Sequence, residues 1–205
     1  MSKAESATTT SLQQEVPASR ISIPQHVDTR DEYFLWMATV VSIKSKDPRC
    51  PVGAVIASRN NVVLATGFNG LARGVFDDKH ILAKASEKLK IICHAEQNAV
   101  LNAARMGVAL EGASIFVTKF PCLACCNTII QAGVTRIYTH DRSFWDDDPF
   151  DKDHSRKKSV LRQAGVKVDA PYHPEYMPRE PINQKKPPRR ETNVTLKAKA
   201  AAEGD

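Results

Sequence analysis

Apolar and polar positions follow two different periods along the middle of the chain. Between Asp31 and Ser45, apolar residues recur at helical spacing behind a possible N-cap at Asp28 or Thr29, which predicts a helix. Two β-branched runs follow, VGAVIAS and VVLATGF, separated by the three residues 59–61, RNN. Because asparagine tolerates the backbone conformations of a tight turn, these runs predict an antiparallel hairpin.

The second half of the chain alternates between helical and extended patterns, after a stretch, FDDKHILAKASEKLKIIC, that is predicted to be partly helical. Glycines 107, 133 and 165 end three of the helices and suit the left-handed closing position. Alternation of this kind requires parallel strands and right-handed crossovers, so we predict a three-layer α/β/α domain with a mixed sheet. The predicted elements are a helix over His94–Met106, a strand over Ala113–Thr118, a helix over Cys122–Ala132, a strand over Arg136–Thr139, a helix over Asp153–Ala164 and a strand over Val166–Val168.

The two ends of the chain differ in composition from the middle. Residues 1–27 are rich in Ser, Thr, Gln and Ala without periodic apolar spacing, and residues 171–205 are dominated by Pro and charge. A chain of 205 residues is long enough for one well-buried domain with tails, and too short for two full domains. We therefore predict one domain over residues 28–170 between two tails.

The cysteine content and the distribution of apolar residues favour a reducing compartment. The sequence contains no run of about 18 apolar residues to span a membrane, and its first residues lack the apolar stretch of a signal peptide. Five cysteines are an odd number, and three of them fall within residues 122–126, which suits thiols or metal ligands better than disulfides. The formal net charge is +6, but several positive charges lie in SRKK and KKPPRR, away from the motifs below. We expect a cytoplasmic protein without a membrane partner.

Two motifs carry the candidate chemistry: His94-Ala95-Glu96, and further along the chain Pro121-Cys122-Leu123-Ala124-Cys125. Together they match H-x-E followed by P-C-x-x-C, the signature of zinc deaminases. The two cysteines are three positions apart and share one face if they begin a helix, where proline is favoured and the helix N-terminus lowers the thiol pKa. This spacing predicts that Cys122 and Cys125 bind one Zn²⁺ together with His94.

His94 and Glu96 are two positions apart and would diverge on a regular helix, so we predict that His94 stands at the very start of its helix. Three protein ligands leave the fourth tetrahedral position of zinc for water, as in catalytic sites. Glu96 is then the candidate catalytic residue, which takes a proton from that water and passes it to a ring nitrogen and a leaving amine.

Simpler interpretations apply to each motif taken alone. An isolated His-x-Glu occurs by chance, and an isolated C-x-x-C serves metal or redox functions. Their order, each opening a predicted helix, favours the zinc interpretation. Cys126 is out of phase with the other two cysteines and is interpreted as a core thiol rather than a fourth ligand, and Cys50 and Cys93 as packing thiols.

The chain resembles the deoxycytidylate (dCMP) deaminase family of the cytidine deaminase superfamily over about residues 30–168. The resemblance rests on the zinc signature and on SKDPRCPVGAVIAS, TGFNGLARGV, CHAEQNAVLNAA and FPCLACCNTIIQAGVTRIY. It implies two zinc helices side by side over a five-stranded mixed sheet, and conversion of dCMP and water to dUMP and ammonia in pyrimidine metabolism. It also implies assembly as a homo-oligomer.

The same resemblance implies the substrate contacts. Asn69 is expected to hydrogen-bond the sugar or base region, Ala95 to contact substrate, and Arg73 to face the 5′-phosphate. The alternatives are a tight turn at Asn69 and a solvated loop charge at Arg73. The sequence departs from the family where G-F-P-R-G is replaced by Gly70-Leu71-Ala72-Arg73-Gly74, and in the segment DRSFWDDDPFDKDHSRKK.

The acidic residues within 146–153 are interpreted as a solvated loop before a helix capped by Asp151 or Asp153, rather than as a metal or regulatory site. Phe144 and Trp145 belong either to the core or to the cover of a substrate base. Competing functions are deamination of a nucleoside, of guanine or of an adenosine in transfer RNA. The non-enzymatic alternative is an inactive, zinc-stabilised binding module. Nucleic acid is not the expected partner, because KKPPRR lies on a tail.

Overall fold

The computed structural model describes residues 26–76, 79–145 and 152–170. Its helices are α1 (Arg30–Ser42), α2 (Lys79–Ala83), α3 (Ala85–Ile91), α4 (Ala95–Arg105), α5 (Leu123–Gln131) and α6 (His154–Gln163), with a short 3₁₀ turn over Arg142–Phe144. Its strands are β1 (Gly53–Ala57), β2 (Val63–Phe68), β3 (Gly70–Leu71), β4 (Ile92–Cys93), β5 (Ser114–Val117), β6 (Arg136–Thr139) and β7 (Lys167–Asp169). Both predicted tails fall mainly outside the described residues, as do Asp146 to Asp151.

Five strands form one mixed sheet in the order β2-β1-β5-β6-β7. The pairs β1/β2 and β1/β5 are antiparallel, whereas β5/β6 and β6/β7 are parallel. Strands β3 and β4 form a separate two-stranded antiparallel ribbon. The predicted hairpin and the predicted mixed sheet are therefore both confirmed, and the ribbon is an addition that the sequence pattern did not indicate.

Helices cover both faces of the sheet. Helix α1 packs through Phe34, Leu35 and Ala38 on one face, against a cluster that includes Val55 and Phe116. The alternate residues of the same strands point to the opposite face, where α4, α5 and α6 contribute a second cluster. All five residues of β1 are buried, as expected for a strand covered on both sides. The structure is thus the predicted three-layer α/β/α sandwich.

Local signals set the boundaries of the helices. Thr29 is the N-cap of α1, and its side chain accepts a hydrogen bond from the backbone N–H of Glu32, whose carboxylate accepts one from the Thr29 N–H. Glycines 107, 133 and 165 adopt positive φ after α4, α5 and α6, as predicted. The stretch before His94 is partly helical, also as predicted, since it forms α2 and α3.

Helix α4 is attached to the edge strand β2 by a repeated contact. The side-chain amides of Asn98 and Asn102, one helical turn apart, donate hydrogen bonds of 2.8 Å to the carbonyls of Phe68 and Thr66. Gly67 lies between these carbonyls, and a Cβ there would collide with the backbone of α4 at Ala95 and Ala99. This close approach places the N-terminus of α4 at the end of the sheet where the candidate site lies.

Within the described ranges, none of the helices has both the length and the apolar character needed to cross a membrane.

Candidate metal centre and active site

Two helix N-termini converge on one point at the carboxyl end of β5. His94 is the N-cap of α4 and Cys122 is the N-cap of α5, with Cys125 in the first turn of α5. The Nδ1 atom of His94 lies 3.5 Å from the Sγ of Cys122 and 3.4 Å from the Sγ of Cys125. The predicted position of His94 at the start of its helix is confirmed, and the three side chains are brought together.

The spacing of these donor atoms fits a zinc ion. All three ligand atoms lie within 4.8 Å of one another. A tetrahedral Zn²⁺ with a nitrogen at about 2.0 Å and sulfurs at about 2.3 Å separates the nitrogen from each sulfur by about 3.6 Å. One imidazole and two thiols also form a donor set that zinc prefers. The group is therefore able to hold a metal with three protein ligands.

Hydrogen bonds among the three donor groups change their pKa values. A hydrogen bond from Cys125 lowers the pKa of Cys122 to about 3, assisted by His94. That same hydrogen bond raises the pKa of Cys125, because the pair shares one proton. The hydrogen bond with Cys122 likewise raises the pKa of His94. These contacts favour the thiolate form of Cys122, and a bound metal would take the place of the protons that Cys125 and His94 otherwise hold.

Glu96 occupies the first turn of α4, beside the three donor atoms and outside their group. Its side chain is buried, with a residue exposure of 4%, and burial raises the pKa of its carboxyl group. A carboxyl group that is held less acidic than usual is suited to taking up and releasing a proton. The geometry is therefore that expected of a proton shuttle next to a metal.

A pocket of about 260 Å³ opens onto the candidate metal group. Its wall contains three predicted site residues besides the metal ligands, Asn69, Ala95 and Glu96, and several that the sequence did not assign to a site. These additional residues are Asp47, Cys50, Val52, Lys88, Leu89, Ile92, Lys119 and Phe120. A larger cleft of about 390 Å³ lies near the amino ends of β5, β6 and β7 and contains none of the motif residues, so the smaller pocket is the candidate active site.

Asn69 is held by a buried polar network. Its Nδ2 donates hydrogen bonds to Asp47 Oδ2 at 3.2 Å and to the Cys50 carbonyl at 2.9 Å, and its Oδ1 accepts one from the Val52 N–H at 2.8 Å. Lys88 Nζ donates to the same Asp47 oxygen at 2.7 Å. Both Asn69 amide protons are thus used inside the protein, and only acceptor capacity on Oδ1 is left for a ligand.

Arg73 stands apart from this pocket. Its guanidinium is exposed and donates to Asn102 Oδ1 at 3.4 Å. It is not among the residues that line the pocket. Ala95, in contrast, lies in the pocket wall and is fully buried.

The loop that carries Pro121 is fixed by β6. Asp141, just after that strand, accepts a hydrogen bond of 2.9 Å from the Phe120 N–H through Oδ2 and one from Ser143 through Oδ1. The Phe144 ring packs on Phe120 with centroids 4.6 Å apart. Phe144 therefore packs against the pocket residue Phe120. Asp141 positions the backbone of the same residue, and the sequence pattern did not indicate this role.

Cys126 points away from the metal group. Its side chain is fully buried in the larger core cluster, and its Sγ lies 3.8 Å from the Pro121 carbonyl. Burial raises its pKa to about 12, so it remains a neutral thiol. Among the described residues, Cys126 is therefore not part of the three-donor group.

An α/β/α sandwich with a His-Cys-Cys group at two helix N-termini and a buried carboxylate beside it defines the class of zinc-dependent deaminases. The family model for the cytidine and deoxycytidylate deaminase zinc-binding region matches residues 28–141. The chain belongs to this family, as its motifs predicted.

Relatives extend over most of the domain. ComE operon protein 2 of Bacillus subtilis (strain 168) is 34% identical over 140 residues, which cover 68% of this chain and 69% of that protein. Deoxycytidylate deaminase of Homo sapiens is 34% identical over 140 residues, covering 66% of this chain and 75% of the human protein. The dCMP deaminase of cyanophage S-TIM5, solved in complex with dCMP and dUMP, is 28% identical with a TM-score of 0.56, covering 71% of this chain and 99% of the phage chain.

Proposed function

We propose that this protein is a hydrolytic deaminase that converts dCMP and water to dUMP and ammonia, with Zn²⁺ bound by His94, Cys122 and Cys125. The observation that carries the proposal is the convergence of these three donor atoms beside the buried carboxylate of Glu96. A site built only to stabilise two helices has no need of a buried carboxylate, whose desolvation is unfavourable.

Zinc, when bound, supplies a Lewis acid that makes a water molecule acidic near neutral pH. Glu96 accepts one proton of the attacking water and delivers it to N3 of the cytosine ring, while the water oxygen bonds to C4 and the C4–N3 double bond becomes single. Glu96 then moves the second proton of that oxygen to the exocyclic amine. The bond between C4 and the amine breaks, the C4–O bond becomes a carbonyl, and ammonia leaves. The raised pKa of Glu96 suits both proton uptake and proton release.

The choice of dCMP is supported by the relatives named for that substrate and by the phage enzyme solved with dCMP and dUMP. In this proposal Ala95 and the Oδ1 atom of Asn69, which can accept a further hydrogen bond, contact the nucleoside portion. Arg73 is a candidate for the 5′-phosphate contact only if its side chain turns away from Asn102, to which it donates here.

Ammonia release tests the proposal. The purified, zinc-loaded protein is offered dCMP, deoxycytidine, cytidine and guanine in parallel. We expect rapid release from dCMP alone. Release from another compound without release from dCMP would retain the zinc chemistry and reject the substrate. If none of the four compounds releases ammonia, the result would favour a larger substrate, such as transfer RNA, or a binding module.

A cytoplasmic location and a homo-oligomeric state also belong to the proposal. The five cysteines are all free, which suits a reducing compartment. Gel filtration coupled to light scattering measures the oligomeric state directly.

A further inference from the structure

The pocket contains two lysines, and one of them is already neutralised. Lys88 Nζ lies 2.7 Å from Asp47 Oδ2, with side-chain exposures of 8% and 2%, respectively. Asp47 is itself held by Asn69 and by the backbone N–H groups of Arg49 and Cys50. Because the pair is buried and mutually satisfied, the charge of Lys88 is not available to a ligand.

Lys119 differs from Lys88 in both exposure and partner. It follows the carboxyl end of β5, two residues before Pro121, and its exposed side chain lines the same pocket as His94 and Cys122. Its Nζ donates to the Sγ of Cys50 at 3.6 Å. In the described ranges, no carboxylate oxygen lies within ion-pair distance of Lys119 Nζ.

A thiol is a weak hydrogen-bond acceptor, so the contact with Cys50 holds the ammonium loosely. The flexible four-carbon stem of lysine allows Nζ to move toward an anion at the pocket mouth. A phosphate oxygen is a far better acceptor for an ammonium than a neutral thiol. Arg73, the cation that the family resemblance implied, is not among the residues that line the pocket.

We infer that Lys119 binds the 5′-phosphate of the substrate and thereby selects a nucleotide over the corresponding nucleoside. This inference rests on the proposed function. It assigns nucleotide selectivity to the loop between β5 and α5, which also carries the metal ligand Cys122, rather than to the loop that carries Arg73.

The test compares the full-length, zinc-loaded wild-type protein with Lys119→Met, Lys119→Arg and Arg73→Met. Lys44→Met is a matched control, because Lys44 is exposed and does not line the pocket. Two quantities are measured for each: the ratio of kcat/KM for dCMP to that for deoxycytidine, and the ratio of the Kd of deoxyuridine to that of dUMP. The second reports phosphate binding without turnover.

We expect Lys119→Met to lower both ratios by about 10- to 100-fold, the range that corresponds to one charge-assisted hydrogen bond. The loss should appear mainly in KM for dCMP. Lys119→Arg should restore much of the ratio, and Lys44→Met should keep the wild-type value.

A Lys119→Met protein that keeps both wild-type ratios overturns the inference. If the wild-type protein deaminates dCMP in the same experiment, the proposed function is retained. A loss confined to Arg73→Met transfers the phosphate contact to Arg73. A wild-type protein that neither deaminates dCMP nor binds dUMP more tightly than deoxyuridine overturns the inference and the dCMP proposal together.

Discussion

The ammonium of Lys88 and the carboxylate of Asp47 form a buried ion pair of 2.7 Å in the wall of the candidate active-site pocket. The two residues are 41 positions apart, so their meeting depends on the fold. The pair joins α3, which precedes His94, to the loop that precedes β1. It therefore helps to hold the segment that leads into the metal site.

Replacing Lys88 with Met should lower the free energy of unfolding by about 3–5 kcal/mol, because an unpaired carboxylate is left buried. Urea denaturation of the zinc-loaded protein measures the effect. The double variant Asp47→Asn with Lys88→Met removes both charges and should be more stable than Lys88→Met alone. Equal instability of the two proteins would show that the unpaired charge is not the cause.

Replacing Glu96 with Gln should abolish turnover and leave zinc content and melting temperature nearly unchanged. Glutamine is nearly isosteric with glutamate but cannot exchange protons at the site. Ammonia release, zinc analysis and thermal melting are measured on one preparation. A collapse of the melting temperature would leave the proton-shuttle role of Glu96 unsupported.

Replacing Cys122 or Cys125 with Ala should reduce bound zinc well below one ion per chain and lower the melting temperature, since metal binding contributes to folding. Chelation of zinc from the wild-type protein should lower the melting temperature in the same direction. Cys126→Ala is the control: it should keep full zinc content and lose about 1 kcal/mol of stability from the small core cavity. Loss of zinc in Cys126→Ala would instead make that thiol a ligand.

Replacing Gly67 with Ala should destabilise the fold by about 1–3 kcal/mol or more and reduce catalysis, because the new Cβ would collide with the backbone of α4. The displaced helix is the one that begins at His94. Gly70→Ala is a suitable control, since its Cβ would meet only the Phe68 ring at ordinary contact distances of 3.8 and 4.0 Å. The melting temperature and the turnover of the two variants are compared. Equal values for Gly67→Ala and Gly70→Ala would show that the close packing of α4 on Gly67 is not required.

Much of the fold follows from local signals. The strand over 136–139 was predicted with its observed bounds, and the helices after His94 and Cys122 differ from the prediction by one residue at each end. Glycines 107, 133 and 165 closed the helices as expected. The β3/β4 ribbon was missed, because strands of two residues carry no periodicity for a sequence pattern to report.

The metal group was predictable for a related reason. Its three ligands and Glu96 lie at or near helix starts, where spacing, proline and the helix N-terminus already indicate which side chains can converge. Lys88 and Lys119 gave no such signal. Lys88 stands in a charged stretch that is typical of a solvated surface, and its burial becomes visible only when Asp47 is placed beside it.

By itself the sequence determined the element order, the α/β/α class, the donor set of the metal site and the carboxylate beside it, since each depends on residue types a few positions apart. Only the tertiary structure decided which charges face the pocket. It buried Lys88 against Asp47, left Lys119 at the pocket wall, tied up both amide protons of Asn69 and turned Arg73 toward Asn102. Those contacts join residues many positions apart, and their partners are chosen by packing and desolvation, which no local pattern records.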